Sequence, residues 1–136
     1  DKAIETIEDL QNKFNYINPN TLTTLAYFYL LKKEFDKAEE LTNKALNDNK
    51  EYAPAWDNLG QIYYVKGNNN KAKEYFEKAL QYRAGMTESL YYMGLIAKAE
   101  GNKEKAKEYF EKANSGYISA LSTVKRADIE KELENI

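Results

Sequence analysis

The sequence contains no cysteine and no histidine among its 136 residues. Without Cys there is no disulfide framework, no thiolate nucleophile and no Cys-based zinc site. Without His the usual general base and commonest metal ligand are missing, and Ser89, Ser115, Ser119 and Ser122 have no imidazole with which to form a triad. Glycine is scarce, and Gly60, Gly67, Gly85, Gly94, Gly101 and Gly116 stand singly rather than in a phosphate-cradling loop. Charge of neither sign dominates: 20 Lys+Arg face 22 Asp+Glu, so no basic excess is present to neutralise a nucleic-acid backbone. Long hydrophobic runs are also lacking. The longest, Leu25-Ala26-Tyr27-Phe28-Tyr29-Leu30-Leu31, falls far short of the roughly 20 apolar residues that span a bilayer. Asn47-Asp48-Asn49-Lys50-Glu51 has some residue types of a calcium loop but no Gly at its turn, and reads as the end of a helix. Glu39 and Glu40 lie beside Lys37 and Lys44, which makes them a solvated helix face rather than an acid/base pair. Tyrosine, in contrast, is abundant, with 12 residues to be placed.

Internal repetition organises the chain. Lys71-Ala72-Lys73-Glu74-Tyr75-Phe76-Glu77-Lys78-Ala79 recurs identically 34 residues later as Lys105-Ala106-Lys107-Glu108-Tyr109-Phe110-Glu111-Lys112-Ala113. Gly60 and Gly94, Gly67 and Gly101, Leu46 and Leu80, and Ala38 and Ala72 keep the same offset. Each unit reads as two helices. Trp56, Leu59, Gly60 and Tyr63 share one helical face, the Gly67-Asn68-Asn69-Asn70 stretch interrupts it, and Ala72, Tyr75, Phe76 and Ala79 share the face of a second helix. The opposite face of that second helix carries charge, with Glu74–Lys78 and Glu108–Lys112 spaced as pairs four residues apart, worth about 0.3–0.5 kcal/mol each.

Trp56-x2-Leu59-Gly60-x2-Tyr63, followed by Ala72, Phe76 and Ala79, resembles the tetratricopeptide repeat. The physical reading agrees: Gly60 and Ala72 permit close helix approach, while Trp56, Tyr63 and Phe76 fill the space between. The resemblance implies an all-α solenoid of helical hairpins in a right-handed superhelix, with repeats at 19–52, 53–86 and 87–120. The third repeat keeps Leu90, Met93, Gly94, Ala97, Ala106, Phe110 and Ala113. The first keeps Leu22, Leu25, Ala26, Tyr29, Ala38 and Ala45 but has Thr42 where an aromatic is expected. The family's closing Pro is replaced by Lys50, Ala84 and Ile118. By position, Tyr63, Tyr75, Tyr109, Phe76 and Phe110 are expected in the core.

The flanks extend this frame. Residues 1–18, with an apolar stripe of Ala3, Ile7, Leu10 and Phe14, read as the second helix of a preceding repeat, so the natural protein is expected to continue upstream. Residues 121–136, with Leu121, Val124, Ile129, Leu133 and Ile136 among charges, read as a capping helix, since solenoid ends need a polar outer face.

Function is then expected from the concave surface that such repeats make. The resemblance implies that its lining comes from set positions of each first helix. These are Asn20, Thr23, Thr24, Tyr27 and Leu30; then Pro54, Asp57, Asn58, Gln61 and Tyr64; then Glu88, Tyr91, Tyr92, Leu95 and Lys98. Tyr recurs at binding surfaces because it offers large area and a polar tip at modest entropy cost. The alternative for Tyr27, Tyr64, Tyr91 and Tyr92 is packing against the neighbouring repeat. The members of the family that grip a chaperone's C-terminal carboxylate use a Lys/Asn/Asn/Lys/Arg clamp; here those positions hold Thr23, Tyr27, Asn58, Glu88 and Tyr92, and Glu88 would repel the carboxylate. The expected occupant is instead an extended or helical protein segment with apolar anchors and a Lys or Arg. No enzymatic activity, cofactor or metal is implied. Self-association through the repeat ends is the second reading. RNA binding is disfavoured because the five segments carry net charges of −2, −1, +2, 0 and −1, with no basic stripe.

Overall fold

The computed structural model describes residues 2–6, 8, 18–119 and 122–136. Among these, every regular element is helical. After a helical stretch at 2–6 come α1 (Pro19–Leu31), α2 (Phe35–Asp48), α3 (Ala53–Val65), α4 (Asn69–Tyr82), α5 (Thr87–Ala99), α6 (Lys103–Asn114) and α7 (Arg126–Glu134). Most of the helix expected over 1–18 lies outside the described residues, Ile7, Leu10 and Phe14 among them; Ile4 is buried against the first helices, and Tyr29 donates a hydrogen bond to Glu8 (2.5 Å). Leu121 of the expected C-terminal stripe is likewise outside them.

Local chemistry sets the helix ends. Asn18, Asn68 and Asn102 accept from the backbone N–H groups of Thr21, Lys71 and Lys105, satisfying donors that the first turn leaves free. Pro19 and Pro54 enter the first turns of α1 and α3, where no N–H is needed. The tight connection inside each hairpin needs a left-handed residue: Gly67 (φ +87°) and Gly101 (φ +83°) supply it, and Lys33 (φ +63°) holds the equivalent place in the first hairpin.

Helices pair as α1–α2, α3–α4 and α5–α6, and each pair stacks on the next, so that α1, α3 and α5 lie side by side. The closest approach is between glycine and phenylalanine. A Cβ on Gly60 would lie 2.5 Å from the Phe76 ring, and one on Gly94 would lie 2.5 Å from the Phe110 ring. Both rings are fully buried. The first hairpin has Ala26 and Thr42 at the corresponding positions, a larger residue facing a smaller one. Thr42 is fully buried and donates its hydroxyl proton to the Ala38 carbonyl (2.7 Å), which removes the cost of a buried polar group.

The outer helices carry the charge. Lys112 pairs with Glu108 at 3.4 Å as its spacing suggests, but Lys78 does not pair with Glu74; its ammonium stands 5.6 Å from the Trp56 ring centroid. At the C-terminal end α7 stacks on α6, burying Val124 and Ile129 with Leu133 and Ile136 half-buried beside them. We expect Gly60→Ala to lower stability by about 1–3 kcal/mol, because the ring it meets has no room to retreat. Gly85→Ala, where a Cβ meets nothing within 4 Å, should change it by less than about 0.5 kcal/mol. Urea unfolding of the two variants checks both values.

Candidate functional site

The face made by α1, α3 and α5 has two halves. At the N-terminal ends of these helices, Asn20, Thr23, Thr24 and Tyr27 of α1, Pro54, Asp57 and Asn58 of α3, and Glu88 of α5 line one cavity of about 380 Å³. Tyr52, Arg83 and Met86 form part of its rim. The stretch after α6 covers it with Tyr117, Ile118, Ser119 and Ser122.

The floor of this cavity is acidic. Asp57 is only 4% exposed, and it accepts hydrogen bonds from the Ser89 hydroxyl (2.6 Å) and the Gln61 amide (2.8 Å). The same Gln61 amide also donates to Glu88, so one neutral side chain bridges two carboxylates. Burial, and then the charge of Glu88, push the Asp57 carboxyl well above the ordinary carboxylate range; the Ser89 and Gln61 bonds oppose this but do not reverse it. Tyr27 is buried, and its hydroxyl is held less acidic by burial and by Glu88. That hydroxyl accepts from the Thr123 backbone N–H (3.1 Å) and shares a bond with the Thr123 hydroxyl (3.2 Å).

The second half is aromatic. Tyr64 and Tyr92 have ring centroids 5.0 Å apart, Tyr91 and Tyr92 5.5 Å, and Tyr92 stacks on Phe76 at 5.5 Å with the planes 3° apart. Burial raises the Tyr92 hydroxyl pKa, with Glu88 and Asp57 adding to the effect. Tyr91 and Leu95 belong to the apolar cluster that includes Ile129 and Leu133, and Lys98 pairs with Glu132 of α7 at 2.8 Å.

The groove positions implied by the family resemblance thus fall into distinct environments. Asn20, Tyr64, Glu88, Tyr91, Tyr92, Leu95 and Lys98 keep exposed or partly exposed surface. Thr23, Tyr27, Leu30, Asp57, Asn58 and Gln61 are buried. Asn58 is committed internally, its amide donating to the Thr23 carbonyl (2.9 Å) and tying α3 to α1. The tyrosines expected in the core also divide. Phe76 and Phe110 are fully buried, but Tyr63, Tyr75 and Tyr109 are half-buried, with only part of each ring covered. Tyr63 points its hydroxyl outward to Glu39 (2.8 Å), a bond that raises its pKa to about 12, and Lys71 lies 4.6 Å from its ring centroid.

Sequence reasoning missed Ser89, Tyr52, Arg83, Met86 and the covering stretch. Ser89 had a signal, since it stands at the place of the fully buried Ala55 one repeat earlier, where a hydroxyl must find a partner. The loop residues had none, because their positions depend on how repeats stack. Among the described residues, no group of three His, Cys, Asp or Glu side chains could hold a metal ion, and no helix is long and apolar enough to cross a membrane.

Hairpins of this geometry define a helical-repeat scaffold. Residues 53–84 and 87–115 each match a sequence model of the tetratricopeptide repeat, so the chain carries tetratricopeptide repeats. No curated protein matches the chain by sequence. Among solved structures, it is similar to a crystal structure of MamA, with 26% identity and a TM-score of 0.65 over 83% of this chain and 66% of that one. A second structure of MamA protein gives 25% identity and a TM-score of 0.64 over 84% and 62% of the two chains. The Sgt2 TPR domain from Aspergillus fumigatus gives a TM-score of 0.69 over 86% and 75%, and at 22% identity it shows the fold alone. The chain spans less than two thirds of the length of either MamA chain. The repeats support a protein-interaction scaffold, a class that is generally non-enzymatic.

Asp57 makes stability depend on pH with a definite sign. Its carboxyl is protonated more readily in the folded chain than in the unfolded one, so its contribution is present below pH ~4 and is lost as pH rises to about 7. Asp57→Asn removes the charge, and the variant should be more stable than the parent near pH 8 by on the order of 1–3 kcal/mol. It should also lose most of the decline between pH 4 and 7. Urea melts across that range measure both effects.

Proposed function

We propose that the face built by α1, α3 and α5 binds a segment of a protein partner, so that the chain acts as a scaffold or adaptor module. The observation that carries this reading is the cavity of about 380 Å³ at the acidic end of that face, with the Tyr64–Tyr92–Tyr91 cluster further along α3 and α5. The aromatic half suits apolar anchors, since partly exposed tyrosines give up little side-chain entropy when covered. The acidic half suits a Lys or Arg on the same segment, whose charge complements Glu88, the carboxylate there that keeps partly exposed surface. An anchor cation over a tyrosine face adds about 0.5–1 kcal/mol at an exposed site.

The test is a peptide array probed with the intact chain and with the Tyr64→Ala, Tyr91→Ala double variant. Peptides retained by the parent should lose at least about tenfold in affinity in the variant, which corresponds to about 1.4 kcal/mol. Circular dichroism melts of both proteins establish that the variant is folded at the assay temperature. Unchanged retention by a folded variant would overturn the reading, and sedimentation at rising concentration would then show whether the chain binds its own copies instead.

A further inference from the structure

The connection between α6 and α7 does not take the shortest path. Arg126, the first residue of α7, donates to the Asn114 and Gly116 carbonyls at the end of α6, so the two helix ends are adjacent. The described residues between them, 115–119 and 122–125, nevertheless reach the face described above. Tyr117 reaches α5, where its carbonyl accepts from the Thr87 hydroxyl (2.7 Å). Thr123 reaches α1, where its backbone N–H donates to the Tyr27 hydroxyl (3.1 Å) across 96 residues of sequence. Residues 117–119 and 122–124 are non-helical, and Tyr117, Ile118, Ser119 and Ser122 line the acidic cavity, Ser122 at only 4% exposure.

A turn between α6 and α7 needs none of this, and the contacts are those of a bound peptide: backbone groups paired with side chains of the face, a small hydroxyl residue in the cavity, and an adjacent buried Val124. Apolar anchorage of the described stretch is confined to Ile118 and Val124, which pack with Ile129, while Tyr117 is 84% exposed and Ser119 and Thr123 are also exposed. Segments with few buried apolar side chains open at lower free energy than the core.

We propose that residues 117–119 and 122–124 are an intramolecular pseudo-ligand of the groove. The partner segment is of the same kind: a non-helical stretch with small hydroxyl side chains next to a β-branched apolar residue, which binds by displacing the chain's own. This rests on the groove reading above and deepens it, fixing the conformation of the segment and naming its competitor. Tethering gives the resident stretch a high effective concentration, and the apparent partner affinity falls by the fraction of chains in which the groove is free.

The experiment uses the full chain and the variant Ser122→Asp, in which a third carboxylate shares the cavity with Asp57 and Glu88 and repels the stretch. Amide hydrogen exchange at Thr123 and Val124 reports release, and amides of Leu59, Ile62 and Met93 report the core. The binding probe is a fluorescent synthetic peptide of residues 115–125 added in trans, with a scrambled peptide beside it. We expect the two strap amides to exchange at least about tenfold faster in the variant, with core amides unchanged. The peptide should bind the variant at least about tenfold more tightly than the parent, and the scrambled peptide should bind neither. Tyr27→Phe, which keeps the ring and removes the hydroxyl, should speed exchange at Thr123 on its own and serves if Ser122→Asp does not fold. Strap amides that exchange only together with the core would overturn the proposal, since the stretch would then be a fixed part of the fold. Equal or absent peptide binding in a variant whose strap amides are released would overturn it as well. Neither result touches the groove reading, which stands or falls on the Tyr64 and Tyr91 substitutions.

Discussion

The contact on which the rest of the structure depends is the approach of a helix backbone to an aromatic ring, Gly60 against Phe76 and Gly94 against Phe110. Side chains on any other residue at these two positions would hold the paired helices apart. With no Cβ in the way, the ring lies flat on the backbone and is fully buried. The consequence reaches the binding face, because the Phe76 ring is also the platform on which Tyr92 stacks. Tyr92 in turn positions Tyr64 and Tyr91. A backbone constraint in one hairpin thereby sets the aromatic half of the groove between that hairpin and the next.

The acidic half is built at a cost the aromatic half does not carry. Asp57 is a carboxyl group removed from water with a second carboxylate nearby, and its hydrogen bonds come from the neutral Ser89 and Gln61. Such an arrangement opposes folding at neutral pH, and an apolar residue there would serve stability better. Local rules of folding are most often broken where a surface is used. The same carboxylates attract positive charge, and the chain's own connection to α7 meets this face with neutral hydroxyl residues and a backbone N–H.

Much of the fold was legible in the sequence because a repeat states its own architecture twice. The 34-residue offset located the helix pairs, and Gly60 marked a close approach whose partner ring, Phe76, came from the structure. Thr42 stood out as a departure from the aromatic pattern whereas Ala26 counted as a kept position, and only the Gly60–Phe76 contact one repeat later reveals the two as one compensated change. The groove was legible by position but not by exposure. Tyr27 and Tyr63 show why: a helical position states which face a side chain lies on, whereas the depth to which it is covered depends on the stacking of the neighbouring repeat and on α7. Tyr63 proved to be the wetter of the two, held outward by Glu39 and Lys71, and Tyr27 the drier. The path of residues 117–119 and 122–124 had no periodicity to announce it, since its partners Tyr27 and Thr87 are distant in sequence, 96 and 30 residues away.

The central claim is that the face of α1, α3 and α5, and not the charged outer face, meets the partner. Site-specific photocrosslinking in cells tests it whatever protein that partner is. A benzophenone side chain placed at Tyr64 should yield discrete higher-mass adducts with another protein, and one placed at Glu77, exposed on the charged outer face of α4, should yield none. Adducts from position 77 with none from position 64 would contradict the account.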